Sequence, residues 1–245
     1  MSILSRRLYS IYALLIFAIS FFILVIPFMT IIPIKRWHKY TGLLNRIWAR
    51  LFYTFIFMPV KIEMHPSINK CEKYIFCPNH FSYLDIPTMG FTPTNFIFLG
   101  KNAMEKLPIF GYMYRKLHIT VNRESIRSKH NTFIRAKEAI DAGRSLVIYP
   151  EGGVITKKPP QMARFKNGAF KLAIEKQIPI IPVTIPYNWI LLPDDERFLL
   201  SRNTMKVTYH KPIETKGMNL EDFESLKEKV FNVIQSEIDK CNENR

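Results

Sequence analysis

From Leu8 to Ile34 the chain reads LYSIYALLIFAISFFILVIPFMTIIPI, twenty-seven residues without a charged side chain. About 20 apolar residues suffice to cross the hydrocarbon core of a bilayer as a helix. A run of this length must be covered by lipid or by protein, and everything downstream has to be built around it. It exceeds the apolar core of a secretory leader and no A-x-A-like cleavage site follows, so it is expected to stay with the chain. Arg6 and Arg7 precede it and Lys35, Arg36 and Lys39 follow. With basic residues on both flanks, a single span places one flank on the disfavoured side of the membrane, whereas a re-entrant or interfacial element does not. Pro27 and Pro33 are expected to break such an element.

A second apolar stretch, LLNRIWARLFYTFIFMPV from Leu43 to Val60, sets Arg46 and Arg50 on one helical face and Trp48, Phe52 and Phe55 elsewhere. That distribution is expected of a helix lying in a membrane interface, with an ordinary packed helix as the alternative. Residues 1–60 are therefore read as an N-terminal membrane-associated helical region and residues 61–245 as one catalytic domain. The domain carries no internal repeat and no linker rich in Gly or Ser.

Thirty-five Lys and Arg against twenty Asp and Glu leave a charge of +15, which attracts phosphorylated substrates, anionic lipid headgroups or nucleic acid. No nucleic-acid motif accompanies the membrane run, so no nucleic-acid partner is expected. Cys71, Cys77 and Cys241 have no CxxC spacing, which argues against a disulfide framework or a zinc ribbon and favours a reducing, cytosol-facing domain. The six histidines are scattered without metal-ligand spacing, so no metal is expected. No G-x-S-x-G elbow occurs, which excludes the common serine-hydrolase arrangement.

After Val60, short apolar runs alternate with helical stretches: KYIFCP, NFIFLG, HITVN, SLVIYP, IPIIPVTI and TMKVTYHKPI. The pattern predicts an α/β domain with a largely parallel mixed sheet flanked by helices. Helices are expected after Ser82, near 108–116, over 127–142 with Gly143 as the stop, and over 167–176. A terminal helix capped by Asn219 carries one apolar stripe through Leu226, Val230, Ile234 and Ile238. Pro179, Pro182 and Pro186 lack N–H groups, so the fifth strand is expected at an edge or bulged.

The chemistry concentrates where strands end. NHFSYLD places His80 five residues ahead of Asp85 directly after a strand. Histidine moves protons near neutral pH, and a carboxylate partner fixes its tautomer and stabilises the imidazolium. The alternative is a capping box of Ser82 with Asp85, serving only the backbone of a helix start. Other strands run into Lys101, Arg123 and Glu151-Gly152-Gly153. Ligands in open α/β sheets bind beyond the carboxyl ends of strands, so these residues are expected to converge with His80 on one edge.

Four blocks in order, NHFSYLD, KNAMEKLPIFGYMYRKLHITVNR, YPEGG and IPIIPV, resemble those of the membrane-associated glycerolipid acyltransferases, especially the 1-acylglycerol-3-phosphate acyltransferases. The similarity covers about residues 73–186. It implies that His80 is the general base acting on an acceptor hydroxyl, oriented by Asp85 as in a serine-protease triad but without a serine nucleophile. It further implies Lys101 and Arg123 as phosphate-binding residues, Glu151 and Gly152 as positioning the acceptor, and Lys166 within a downstream F-K-x-G. The implied reaction joins a lysophospholipid acceptor to an acyl chain from acyl-CoA or acyl-carrier protein at a membrane, with no further cofactor. The chain departs from the family's Glu-Gly-Thr-Arg pattern in reading EGGV, so Val154 stands where a phosphate-binding arginine is expected. Lys157, Lys158, Arg164 and Lys166 are the candidate substitutes. Another lysolipid or glycerol-3-phosphate as acceptor, and a non-catalytic basic lipid-binding protein, are the alternatives.

Overall fold

The computed structural model describes residues 2–101, 108–122, 125–195 and 197–243. The apolar run forms one helix, α1 (Ile3–Ile31), about 43 Å long at 1.5 Å per residue. Pro27 lies inside α1 without breaking it, contrary to expectation, and the helix stops two residues before Pro33. A proline forfeits one intrahelical bond, and a helix supported along its side tolerates that loss. The support here is α2 (Thr41–Phe55), against which α1 packs antiparallel. Tyr9 donates to the Ile56 carbonyl at 2.8 Å, and the Trp48 indole donates to Ser20 Oγ at 3.1 Å. The opposite face of α1, including Leu4, Leu8, Ile11, Leu15, Phe22 and Ile26, is exposed.

α2 departs from the interfacial reading in one respect. Arg46 turns into the protein and donates to the carbonyls of Thr92 and Thr94 at 2.9 and 2.7 Å. These are otherwise orphaned acceptors of a loop, and a guanidinium satisfies two at once. α2 thus seats the apolar region on the domain as a packed helix.

Among the described residues the domain is a seven-stranded sheet in the order β1-β7-β6-β2-β5-β3-β4. Its strands are β1 (Val60–Met64), β2 (Ile75–Pro78), β3 (Phe96–Lys101), β4 (Ile119–Val121), β5 (Ser145–Ile148), β6 (Ile180–Thr184) and β7 (Met205–Tyr209). All neighbours are parallel except β6 and β7, so β2 to β6 send their carboxyl ends to one edge and β7 and β1 to the other. The strand β1, VKIEM, is absent from the expected set because its lysine and glutamate interrupt the apolar pattern. It survives as an edge strand paired only with β7.

β6 is internal, not an edge, despite its prolines. The Pro182 carbonyl accepts from His210, so the side of the residue lacking an N–H faces β7. There the register is reduced to Val183 with Tyr209 and Thr184 with Thr208. The uninterrupted register is with β2, from Ile75 opposite Ile180 to Pro78 opposite Val183.

Period-2 alternation divides the sheet residues between two cores. Phe76, Phe96, Phe98, Val147 and Val183 face α1 and α2, while Ile75, Ile97, Leu146, Ile148 and Ile180 face the other layer. That layer consists of α5 (Ile126–Asp141), α6 (Gly168–Lys176) and α8 (Phe223–Glu243). Each such side chain, fully buried, contributes roughly 1.5–3 kcal/mol from removal of apolar surface from water. α5 ends at Gly143, whose φ of +82° closes the C-terminal turn, and Asn219 with Asp222 makes a capping box ahead of α8. The short helices α3 (Asp85–Thr88), α4 (Phe110–Leu117) and α7 (Asn188–Leu191) follow β2, precede β4 and follow β6 respectively.

Candidate active site

β2 lies between β6 and β5, so the loop after it, starting at Asn79, sits at the middle of the carboxyl edge. Asn79 locks this loop to the neighbouring strand. Its amide donates to the Ile185 carbonyl at 3.0 Å while its oxygen accepts from Ile185 N at 2.7 Å. His80 follows with its ring 10% exposed, and Nδ1 lies 3.0 Å from Asp85 Oδ2. The turn from β2 into α3 brings together two residues that their spacing alone would not.

Asp85 is wholly buried and its carboxylate is saturated with donors. Oδ2 also accepts from Phe81 N at 2.8 Å and Ser82 N at 2.9 Å, and Oδ1 accepts from Asn188 Nδ2 at 2.9 Å. Asp85 thus holds the backbone at the helix start and the imidazole at once, the contacts that the capping reading and the general-base reading each require. An anionic acceptor at Nδ1 fixes the proton there, leaving Nε2 of neutral His80 as the basic nitrogen. No hydrogen bond engages Nε2 among the described residues. The Tyr149 ring lies over the imidazole with centroids 4.0 Å apart and planes 26° apart. Its hydroxyl donates to the Asp85 carbonyl at 2.9 Å.

Glu151, expected to face the acceptor, is wholly buried and turned toward its own chain. Oε1 accepts from His80 N at 2.7 Å and Oε2 from Ala163 N at 2.8 Å. Burial pushes its carboxyl up to about 7, and the nearby Asp85 charge adds to the rise, against the lowering effect of the two N–H donors. Its place is to hold the His80 backbone and the 151–163 loop together. Gly152 adopts φ +89°, and Lys166 lies directly over it, so a Cβ there would stand 2.6 Å from Lys166 Nζ. The two expected site residues thus meet at the end of β5.

Lys101 closes β3 with its backbone opposite Val121, one strand beyond β5 from His80, on the expected edge. Arg123 lies outside the described residues. Three participants escaped the sequence reading: Asn79, Tyr149 and Asn188. The first two lie inside the NHFSYLD and YPEGG blocks and could have been drawn from them. Asn188 reaches Asp85 from 103 residues away, and nothing local marks it.

An apolar cavity of about 290 Å3 lies between the sheet and the two N-terminal helices and reaches the residues on either side of Asp85. Phe17 and Phe21 of α1, Trp48 and Phe52 of α2, and Tyr83, Leu84 and Pro87 next to Asp85 form its walls. A site that pairs a shielded imidazole with an apolar chamber suits proton transfer on an amphiphile.

The acyltransferase family model matches residues 60–186, just over half of the chain. The chloroplastic 1-acyl-sn-glycerol-3-phosphate acyltransferase BAT2 of Brassica napus is 26% identical over 219 residues, which cover 86% of this chain and 62% of that protein. The 1-acyl-sn-glycerol-3-phosphate acyltransferase of Saccharomyces cerevisiae is 29% identical over 191 residues, covering 75% of this chain and 62% of the yeast protein. This chain therefore spans less than two thirds of either relative. The crystal structure of the acyltransferase PlsC from Thermotoga maritima superposes with a TM-score of 0.77 at 22% identity, covering 97% of this chain and 98% of that one, and shares the fold. The match begins at β1, ends two residues past β6, and encloses both members of the dyad; this chain belongs to the acyltransferase family.

Proposed function

We propose that this acyltransferase moves an acyl chain from acyl-CoA or acyl-carrier protein to the free hydroxyl of 1-acylglycerol-3-phosphate, forming phosphatidate. The observation that carries the reading is the His80–Asp85 pair with Nε2 unengaged among the described residues, while the residues flanking Asp85 wall an apolar chamber. His80 Nε2 takes the hydroxyl proton as that oxygen attacks the thioester carbonyl. The C–O bond forms, and the imidazolium is stabilised by the buried Asp85 charge. Collapse of the tetrahedral intermediate breaks the C–S bond, and the proton held on His80 passes to the departing sulfur. No nucleophilic side chain and no further cofactor enters the sequence of steps.

The chamber supports a fatty substrate, because each methylene removed from water contributes about 0.8 kcal/mol. The exposed apolar face of α1 supports membrane attachment. α1 is fastened at both ends, by Arg6 to the Leu199 carbonyl and by Phe28 and Ile31 against Met113 and Leu117 of α4. In this reading the helix lies along the domain with its outer face in the lipid, and both basic flanks keep to the cytoplasmic side with the catalytic domain. The names of the relatives support lysophosphatidate as acceptor. Val154, in place of the expected arginine, is the observation that favours a second reading in which the acceptor is another lysolipid or glycerol-3-phosphate.

A radiolabelled transfer assay in detergent, crossing several lysolipids and glycerol-3-phosphate with both thioester donors, tests the proposal. Lysophosphatidate is expected to give the highest kcat/KM. A clear preference for a zwitterionic lysolipid would favour the second reading, and absence of transfer from either donor would end both.

A further inference from the structure

Val154 lines a cleft of about 680 Å3 above the carboxyl ends of the central strands. Phe81, adjacent to His80, Trp189 of α7 and Asp194 just beyond it also line the cleft. Lys157 and, from the far end of the sequence, Arg6 of α1 bring positive charge to it. Arg6 is held in place: Nη2 donates to the Leu199 carbonyl at 2.6 Å, and Leu200 N donates to Ser10 Oγ one turn on at 2.8 Å. Its Nε is buried and has no partner among the described residues. That Nε is closed to a ligand, but a guanidinium offers five donors in a rigid fork, and Arg6 lines the cleft with the Nη2 bond to Leu199 as its single side-chain hydrogen bond among the described residues. Asp194 contributes one negative charge against these two positive ones, so the cleft still favours an anion.

We propose that Arg6, with Lys157, binds the phosphomonoester of the lysophospholipid acceptor in this cleft, supplying the cation that Val154 does not. This rests on the acyl-transfer reading above. It makes the N-terminal helix part of the acceptor site and accounts for EGGV as a relocated charge: the cation reaches the same cleft from α1 instead of from the loop after β5. Of the four substitutes expected from the sequence, Lys157 alone lines this cleft, whereas Lys166 lies over Gly152 in a separate one.

The test is the transfer assay with lysophosphatidate in mixed micelles, varying acceptor and donor separately. Arg6→Gln and Lys157→Ala are each expected to raise the acceptor KM about 10- to 150-fold, the scale of a lost charge-assisted hydrogen bond, with the donor KM little moved. Arg6 also fastens α1, so a second variant separates charge from docking. Arg6→Gln combined with Val154→Arg returns a guanidinium to the same cleft and is expected to recover most of the acceptor affinity, which a loosened helix would not permit. Failure of that rescue overturns the proposal, as does a rise in the donor KM alone, which would assign the cleft to the thioester's phosphates. Wild-type enzyme that acylates a zwitterionic lysolipid as well as lysophosphatidate, with Arg6→Gln silent, would refute the phosphate site while leaving acyl transfer standing. No transfer by wild type to any acceptor would refute both.

Discussion

Replacing Asp85 by Asn separates the two jobs of this residue, because the structure assigns them to the same carboxylate. Three donors converge on Oδ2 and one on Oδ1. The Asn carboxamide oxygen can take the place of Oδ2 and keep all three. Its new NH2 then faces the Asn188 amide, a clash that reverses if Asn188 flips, since Asn188 Oδ1 is buried and has no partner among the described residues. The variant should therefore fold. Exchanging charge-assisted for neutral hydrogen bonds costs about 1 kcal/mol for each of a few bonds, not additively, so about 1–3 kcal/mol of stability is expected to go. The effect on chemistry is larger. On the proposed mechanism the transition state creates a cation on His80 some 3 Å from that carboxylate. A unit charge pair at about 4 Å and an effective dielectric of about 20 is worth roughly 4 kcal/mol, or about 10³-fold in rate. Single-turnover acyl transfer, with thermal unfolding on the same preparations, reads both quantities. Turnover within tenfold of wild type, accompanied by the loss of stability, would show that Asp85 only caps the helix and would refute the general-base assignment.

Tyr149→Phe keeps the ring over His80 and removes one hydrogen bond to the Asp85 carbonyl, so kcat should fall less than about tenfold, whereas Tyr149→Ala should cost clearly more in the same assay. Glu151→Gln leaves one acceptor for two N–H donors and is expected to lower stability by about 1–3 kcal/mol and to depress kcat. The raised Glu151 carboxyl means that the folded state holds its proton more tightly. Its contribution to stability is thus full below about pH 4.5 and is lost as pH rises to about 7, and chemical denaturation across that range should show a slope that Glu151→Gln lacks. Gly152→Ala must place a side chain at φ +89° and against Lys166, so a loss of more than about 1 kcal/mol is expected by thermal melting.

The site was legible where chemistry and local geometry coincide. His80 and Asp85 stand within one turn, and Gly152 with Lys166 falls at the end of β5, so a motif sufficed to single them out. Glu151 was located, but a sequence cannot say that each of its oxygens accepts from a backbone N–H, of His80 and of Ala163. Asn188 was invisible, since its importance comes from the crossing of β6 beside β2. In the fold, short continuous apolar runs marked the buried strands β2, β3 and β5, and Asn219 with the apolar stripe marked α8. β1 was hidden because an edge strand need not be apolar on both faces. β6 was misplaced because its prolines were weighed without knowing that β7 pairs with so little of it. Arg46 was read with Arg50 as the basic face of an interfacial helix, a packed helix being the alternative, while the Thr92 and Thr94 carbonyls that claim it lie on a different segment.

The packing of α1 has a practical consequence. Phe17 sits 4.8 Å from the Trp48 ring and 5.7 Å from Phe52, so the first helix is a wall of the chamber that reaches the residues on either side of Asp85. Deleting residues 1–34 to obtain a water-soluble enzyme would remove that wall and Arg6 with it, and would bare the aromatic face of α2. The shortened protein should aggregate instead of dissolving. Extraction of the intact chain meets the converse hazard: a detergent with an alkyl tail is itself a candidate occupant of the chamber. Solubilising agents should then act as competitive inhibitors whose potency follows tail length, and kinetic constants will depend on the amphiphile chosen to measure them.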